Sequence, residues 1–128
     1  MGRFAISSLV SLVFVLLVAP ASWAVDFLSA IEDVPLPQGI EERHQPVVFE
    51  TPFGRVIQAT SEGKGNDGDV EDFYIQSLPA LGWKQLSESL VFERREERLS
   101  ISIESRSGRV RIKYRLTARP APSQMIAE

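Results

Sequence analysis

The C-terminal part of the chain alternates between apolar and polar residues, which is the period of a β-strand with one buried face. This period predicts strands at residues 90–95, 98–104 and 109–116, with a further short candidate at residues 83–86. The last two long strands flank Ser105-Arg106-Ser107-Gly108, whose composition is typical of a turn. We therefore expect them to form a hairpin.

Between residues 69 and 81 the apolar spacing changes to that of a helix. Asp67 or Asp69 is a suitable N-cap, and Gly82 suits the left-handed residue that ends a helix. Pro79 removes one helical hydrogen bond and is expected to loosen the last turn. The predicted buried face consists of Val70, Phe73, Tyr74, Leu78 and Leu81.

Two shorter β-rich runs, residues 47–50 and 55–60, flank Thr51-Pro52-Phe53-Gly54 and predict another hairpin. Further upstream, residues 25–31 are expected to form a short helical turn that Pro35 and Pro37 prevent from continuing. Residues 39–45 are interpreted as a polar connection. The pairs expected in the hairpin are Phe49 with Val56 and Glu50 with Arg55.

These elements predict an α+β fold in the order β-β-α-β-β-β, preceded by the short N-terminal helical turn. An antiparallel sheet of about five strands would carry the one main helix on one face and leave the other face in solvent. The predicted organisation is an N-terminal segment (residues 25–46), the α+β domain (residues 47–117) and a disordered tail (residues 118–128). The run from Phe73-Tyr74 through Leu81-Gly82-Trp83 to Phe92 resembles helix-grip domains of envelope-assembly lipoproteins, and no family is assigned from it.

Most aromatic residues lie on apolar phases of these patterns and are predicted to belong to the core. Phe53 differs because it lies in a turn, where it would either be exposed as a contact residue or fold back over the sheet. The predicted core aromatics are Phe49, Phe73, Tyr74, Trp83, Phe92 and Tyr114.

Residues 1–24 have the three parts of a secretory signal peptide: the positive charge of Arg3, an apolar stretch over residues 4–18 and a small-x-small ending at Ala24. A retained membrane anchor is the alternative. The apolar stretch would span only about 22 Å as a helix, which is less than the roughly 30 Å hydrocarbon layer. We therefore expect cleavage after Ala24 and a periplasmic or secreted protein.

Composition restricts the chemistry available to the mature chain of about a hundred residues, which corresponds to one domain. The chain contains no cysteine, which excludes a lipid-anchored cysteine, disulfides and thiolate metal ligands. Its net charge of -3 gives no reason to expect a general affinity for nucleic acid or anionic lipid, so any such affinity would have to be local. No cofactor or metal is predicted.

The last predicted strand projects a row of cations to one face at a spacing of about 6.8 Å. With a four-residue turn before the row, Glu104 would lie opposite Arg109, so the other members would have no carboxylate directly opposite. Such a row is either a docking surface for an acidic protein, a lipid head group or a phosphate-bearing glycan, or a solvated face that prevents edge pairing. The row consists of Arg109, Arg111, Lys113 and Arg115, with Arg98 or Arg95 alongside.

The remaining candidate sites lack the pattern that their chemistry requires. The carboxylates Asp67, Asp69, Glu71 and Asp72 suit the start of a helix and do not have the spacing of a calcium loop. The glycines that precede them do not have phosphate-loop spacing. His44, the only histidine, lies next to the carboxylates Glu41 and Glu42 and could carry a proton, but a single imidazole supplies neither a nucleophile nor a set of metal ligands.

The sequence therefore predicts an exported, non-catalytic binding domain that contacts an anionic envelope component through the basic strand face. Two alternatives remain open. The first is a small enzyme or enzyme accessory in which His44 acts with a nearby carboxylate. The second is a structural or inhibitor-like domain that pairs with another chain through an edge strand.

Overall fold

The computed structural model describes residues 25–87 and 89–120. The predicted signal peptide and residues 121–128 of the predicted tail lie outside this range. The described elements follow the chain in the order β1 (Ile40–Thr51), β2 (Gly54–Lys64), α1 (Asp67–Ala80), β3 (Lys84–Gln85), β4 (Val91–Arg94), β5 (Glu97–Arg106) and β6 (Arg109–Ala118).

The strands form one antiparallel six-stranded sheet in the spatial order β1-β2-β6-β5-β4-β3. The predicted α+β class is confirmed, while the predicted count of about five strands and the order β-β-α-β-β-β are each short by one strand. The additional strand is β3, which is only two residues long and lies within the short candidate at residues 83–86. β6 pairs with both β2 and β5, so the C-terminal strand is an internal strand of the sheet.

β1 is longer than the sequence predicted because residues 40–43 pair with the end of β2. The prediction of a polar connection over residues 39–45 is therefore wrong for most of its length. A bulge accommodates the polar stretch: Arg43 pairs with Thr60 and Val47 with Gln58, so three residues of β1 oppose Ala59 alone. His44 has a φ of 61° in this bulge.

The two long hairpins differ in how well their register could be predicted. In the β1–β2 hairpin, Phe49 pairs with Val56 and Glu50 with Arg55, as expected. In the β5–β6 hairpin the register predicted from a four-residue turn is wrong by two residues, because Arg106 pairs with Arg109 across a two-residue loop. The loop residues Ser107 and Gly108 have φ values of 53° and 74°, and this double positive φ is the signature of a type I′ turn.

Helix α1 begins two residues earlier than predicted because Asn66 is its N-cap. The Asn66 side chain accepts a hydrogen bond from the backbone N–H of Asp69 (2.9 Å), so neither Asp67 nor Asp69 is the cap. At the other end, the N–H of Trp83 donates to the Leu78 carbonyl (3.1 Å) and the N–H of Gly82 to that of Pro79. This pair of bonds is a Schellman motif, which satisfies carbonyls of the turn that Pro79 weakens.

Residues 25–39 pack against the sheet as an irregular segment, which we call the strap. Where residues 25–31 were predicted to form a helical turn, the structure has bends and a β-bridge between Phe27 and Pro35. The strap is closed by the N–H of Leu28 donating to the Val34 carbonyl (3.0 Å) and by that of Leu36 donating to the Asp26 carbonyl (2.7 Å). Its apolar side chains lie in the core: Leu28, Ile31, Val34 and Leu36.

The strap and α1 cover the same face of the sheet, which we call the inner face. The inner face carries the buried side chains of β2, β5, β6 and the first half of β1. Tyr74 and Leu78 of the helix pack against them. At its centre the hydroxyl of Tyr114 is hydrogen-bonded to Ser61 (2.8 Å) and to Tyr74 (2.5 Å). The opposite face of the sheet, the outer face, is covered by no element in the described part of the chain.

Two aromatic predictions need correction. Phe49 is 51% exposed, because its pairing with Val56 places it on the outer face near the hairpin end. Phe73 is only partly buried at the margin of the core.

Among the described residues, no helix combines the length and the apolar character needed to cross a membrane.

Candidate binding face of the sheet

The predicted cationic row lies on β6, and all its members are exposed on the outer face. Side chains of β6 alternate strictly, because Val110, Ile112, Tyr114 and Leu116 are buried against the strap and helix. β6 lies between β2 and β5, so it is an internal strand. The exposed members are Arg109, Arg111, Lys113 and Arg115.

The two central cations of the row form ion pairs with neighbouring strands. Arg111 Nε lies 2.6 Å from Glu62 Oε1 of β2, and Lys113 Nζ lies 3.2 Å from Glu104 Oε1 of β5. The hydrogen bond from Arg111, with its positive charge, holds the pKa of Glu62 below its ordinary value despite partial burial. The predicted opposition of Glu104 and Arg109 is wrong, because the two-residue loop moves Glu104 opposite Arg111.

The additional candidates, Arg98 and Arg95, lie in different places. Arg98 is on the outer face of β5, where its Nη2 contacts Glu93 Oε1 at 2.6 Å. Arg95 is exposed in the β4–β5 turn with a φ of 55°. The structure therefore brings Arg98 to the face of the row, already paired, and leaves Arg95 in the turn.

The outermost cations of the row, Arg109 and Arg115, form no ion pair with any described residue. Arg115 is flanked across the sheet by Gln58 of β2 and Ser100 of β5. These uncharged groups line a shallow depression of the outer face together with Arg115, Lys113, Thr60 and Ser102. The depression offers cations and hydrogen-bonding side chains without a carboxylate.

At the other end of the row, three cations lie side by side across three strands. Arg109 pairs with Lys64 of β2 on one side and with Arg106 of β5 on the other. All three are exposed, and none forms an ion pair among the described residues. We call Lys64, Arg109 and Arg106 the cation ladder. Like charges directly opposite in a sheet destabilise it, so the fold itself gains nothing from this arrangement.

Sequence reasoning missed Lys64 and Arg106 as members of the site. The pattern ended the second strand at residue 60, whereas β2 continues to Lys64. Arg106 was assigned to the turn, whereas the two-residue loop makes it the last residue of β5. The signal that could have found both is the alternation itself, since Lys64 and Arg106 continue the outward phase of their strands.

Charge is distributed unequally between the two sides of the molecule. Helix α1, on the inner side, has the acidic residues Asp67 and Asp69 in its first turn and no basic residue in its last turn. On the outer face, strand register places more cations than carboxylates. The cations are Arg43, Lys64, Lys84, Arg98, Arg106, Arg109, Arg111, Lys113 and Arg115. The carboxylates are Glu41, Glu62, Glu93 and Glu104.

An apolar corner adjoins the cations at the β1–β2 end of the outer face. Val47 is 47% exposed and pairs with Gln58, which in turn pairs with Arg115 of β6. Phe49 is 51% exposed and pairs with Val56, the neighbour of β6 at the next outward position. Phe53, in the adjoining turn, is 88% exposed, so it does not fold back over the sheet. We call Val47, Phe49 and Phe53 the apolar corner.

His44 lies in the β1 bulge, with its side chain exposed. Within the described residues it makes no hydrogen bond or ion pair with a carboxylate. No group of three or more His, Asp or Glu side chains in the described residues is arranged to hold a metal ion.

Comparisons with protein-family models, with curated proteins and with solved structures found no match for this chain.

Proposed function

We propose that this chain is a small, exported, non-catalytic binding domain that contacts an anionic component of the bacterial envelope through its outer face. The observation that supports it best is the cation ladder of Lys64, Arg109 and Arg106, which is exposed and without ion pairs among the described residues. A bound anion would relieve the repulsion within the ladder.

The alternative reading of the row as protection against edge pairing has less support. Charged side chains protect a sheet when they lie on its edge strands. β6 is internal, and the edges among the described strands are β1 and β3. The position of the row therefore argues against edge protection, and the cation ladder is the observation that favours a partner over a face that is only solvated.

Export is part of the proposal and rests on the sequence of residues 1–24. Intact-mass spectrometry of the protein recovered from its cells is expected to give a mature form that begins at Val25. Recovery of a soluble cytosolic protein that still carries Met1 would contradict the proposal.

Crosslinking and affinity purification from intact envelope test the binding function. The triple variant K64A/R106A/R109A is expected to lose the partner, since it removes the cation ladder. The control variant R55A/R95A/R119A removes the same number of exposed cations away from the ladder and is expected to retain it. Retention of every partner by the folded triple variant would contradict the proposal.

A second candidate function, pairing of another chain with the edge of β1, is favoured by one observation. β1 lies at the edge of the described sheet, and Val47, Val48 and Phe49 are consecutive and each about half exposed. Salt distinguishes the two functions. A partner held by the cation ladder is released as ionic strength rises, whereas one held by backbone hydrogen bonds of β1 is retained.

A further inference from the structure

We infer that the anionic component is the surface of a phospholipid membrane, on which the outer face lies flat with the apolar corner inserted between head groups. This inference rests on the proposed function and specifies its partner. A membrane surface requires cations and exposed apolar side chains on one face. The register places Val47 and Phe49 on the outer face with the cations, and Phe53 lies in the adjoining turn.

The apolar corner has the composition of a membrane-inserting tip. Phe53 follows Pro52 at the end of the β1–β2 hairpin, where 88% of its surface is exposed. Val47 and Phe49 extend the apolar surface onto the outer face. Aromatic side chains are favoured at the level of lipid head groups, because their rings leave water without requiring the chain to enter the hydrocarbon.

The cations are spread over a surface instead of being concentrated at a point. The row on β6 runs the length of the sheet, and the cation ladder extends it sideways to β2 and β5. Such a distribution matches a plane of anionic head groups, each of which attracts a nearby Lys or Arg. The acidic helix lies on the inner side, so the same field turns the outer face toward the membrane.

The presence of both cations and an apolar corner favours a bilayer over the other candidate partners of the outer face. A basic patch or a small apolar insertion alone holds a protein only marginally, whereas the combination gives stable association. An acidic peptide would use the cations and leave the apolar corner in water. A second copy facing the first would bring two cationic outer faces together, which is repulsive.

Flotation with lipid vesicles tests the inference on the protein as purified from the producing cells, with its N-terminal mass recorded first. Vesicles that contain phosphatidylglycerol are expected to bind the protein, and vesicles of phosphatidylcholine alone to bind it much more weakly. Both K64A/R106A/R109A and F49S/F53S are expected to weaken binding about tenfold. The controls R55A/R95A/R119A and F27S, which remove cations and an exposed phenylalanine elsewhere, are expected to stay within about twofold. All variants carry the same N-terminus, so their differences report the outer face.

A tryptophan probe tests insertion directly. In F53W the new indole is expected to shift its emission to shorter wavelength when phosphatidylglycerol vesicles are added. The chain has two native tryptophans: Trp23, which the expected cleavage after Ala24 removes, and Trp83, which is 2% exposed in the core. The unsubstituted protein with and without vesicles gives their background emission. Emission of F53W that does not change on vesicles that bind the protein would overturn the insertion of the apolar corner.

The outcomes separate this inference from the proposed function. Absence of binding to phosphatidylglycerol vesicles overturns the inference, while loss of an envelope protein or glycan from K64A/R106A/R109A in the crosslinking experiment would leave the proposed function standing. Failure of both experiments removes both. A head-to-tail oligomer, detected by light scattering and abolished by K64A/R106A/R109A, would assign the outer face to the acidic side of a second copy and overturn the inference.

Discussion

The two tyrosines of this chain, Tyr74 and Tyr114, share one buried hydrogen-bonded site with Ser61. Burial raises the pKa of Tyr114 to about 12, because a phenolate there would lose its hydration. The same cause raises the pKa of Tyr74 further above its ordinary value. Both hydroxyls are therefore neutral at any physiological pH and act as mutual hydrogen-bond partners.

This site makes the stability of the fold sensitive to alkali. Because the folded pKa of Tyr114 lies above its ordinary value of 10.0, the stabilisation is complete below pH 10.0 and is lost as pH rises toward about 12. The absorbance of tyrosinate is expected to show no step near pH 10.0 while circular dichroism still reports a folded protein.

The urea-unfolded protein is the control for this titration. Both tyrosines are expected to ionise there near the ordinary value of 10.0. A tyrosinate step with that midpoint in the folded protein would contradict the buried placement of these residues.

At the scale of elements, the β5–β6 loop determines which residues face one another across the binding face. Ser107 has a φ of 53°, a conformation that asparagine adopts more readily than serine. The variant S107N is expected to raise the free energy of unfolding by about 0.5 kcal/mol, and S107V to lower it by about 1 kcal/mol, since a β-branched residue is strained there.

Urea unfolding followed by circular dichroism measures both changes. S105N, at an exposed strand position of β5, is the matched control and is expected to give no gain. Equal stabilisation by S105N and S107N would show that the effect does not come from the turn.

The same loop shows why the sequence predicted some features and not others. Alternation in β6 revealed its buried and exposed residues, because the inner face demands apolar side chains at every second position. Turn composition at residues 105–108 indicated a turn but not its length, which depends on whether Ser107 accepts a positive φ. The error of two residues then placed Glu104 opposite Arg109, whereas it lies opposite Arg111.

Elements without a periodic signal were the least predictable. The strap has no regular period because its order depends on contacts with the sheet and with Arg94, which lies far along the chain. The part of β1 before the bulge has a polar sequence that resembles a loop, and it is a strand because β2 offers it a pairing edge. For the candidate site, the row was predicted from its own strand, whereas the cation ladder depends on three strands meeting.

At the scale of the whole molecule, Arg94 joins the strap to the rest of the fold. Its Nη1 contacts Asp33 Oδ2 at 2.6 Å and donates to the Leu81 carbonyl at 3.2 Å, and its guanidinium lies 4.4 Å from the centre of the Trp83 ring. The indole N–H of Trp83 in turn donates to the Asp33 carbonyl at 3.1 Å. The strap, the helix end and β4 therefore meet at one side chain.

Removal of this side chain is expected to weaken the whole fold. R94A should lower the free energy of unfolding by about 2 kcal/mol, since it leaves the Leu81 carbonyl and Asp33 without their charged donor. D33A should cost less, because the Asp33 side chain is 52% exposed, and the double variant should cost less than the sum.

Denaturant unfolding by circular dichroism is the suitable measurement, because R94A also alters the surroundings of Trp83. R95A, at the neighbouring exposed position, is the control and is expected to change stability little. Additive effects of R94A and D33A would contradict the link through their ion pair.

The bulge at His44 has a consequence for how molecules of this protein behave at high concentration. A long, regular sheet margin can recruit identical chains in register and grow into fibrils. In β1 the three residues opposite Ala59 break the spacing of the backbone groups, and Pro46 among them has no N–H to donate. The bulge thereby divides the free edge of β1 into two short stretches that cannot template a continuous hydrogen-bonded ladder. This division disfavours amyloid-like growth.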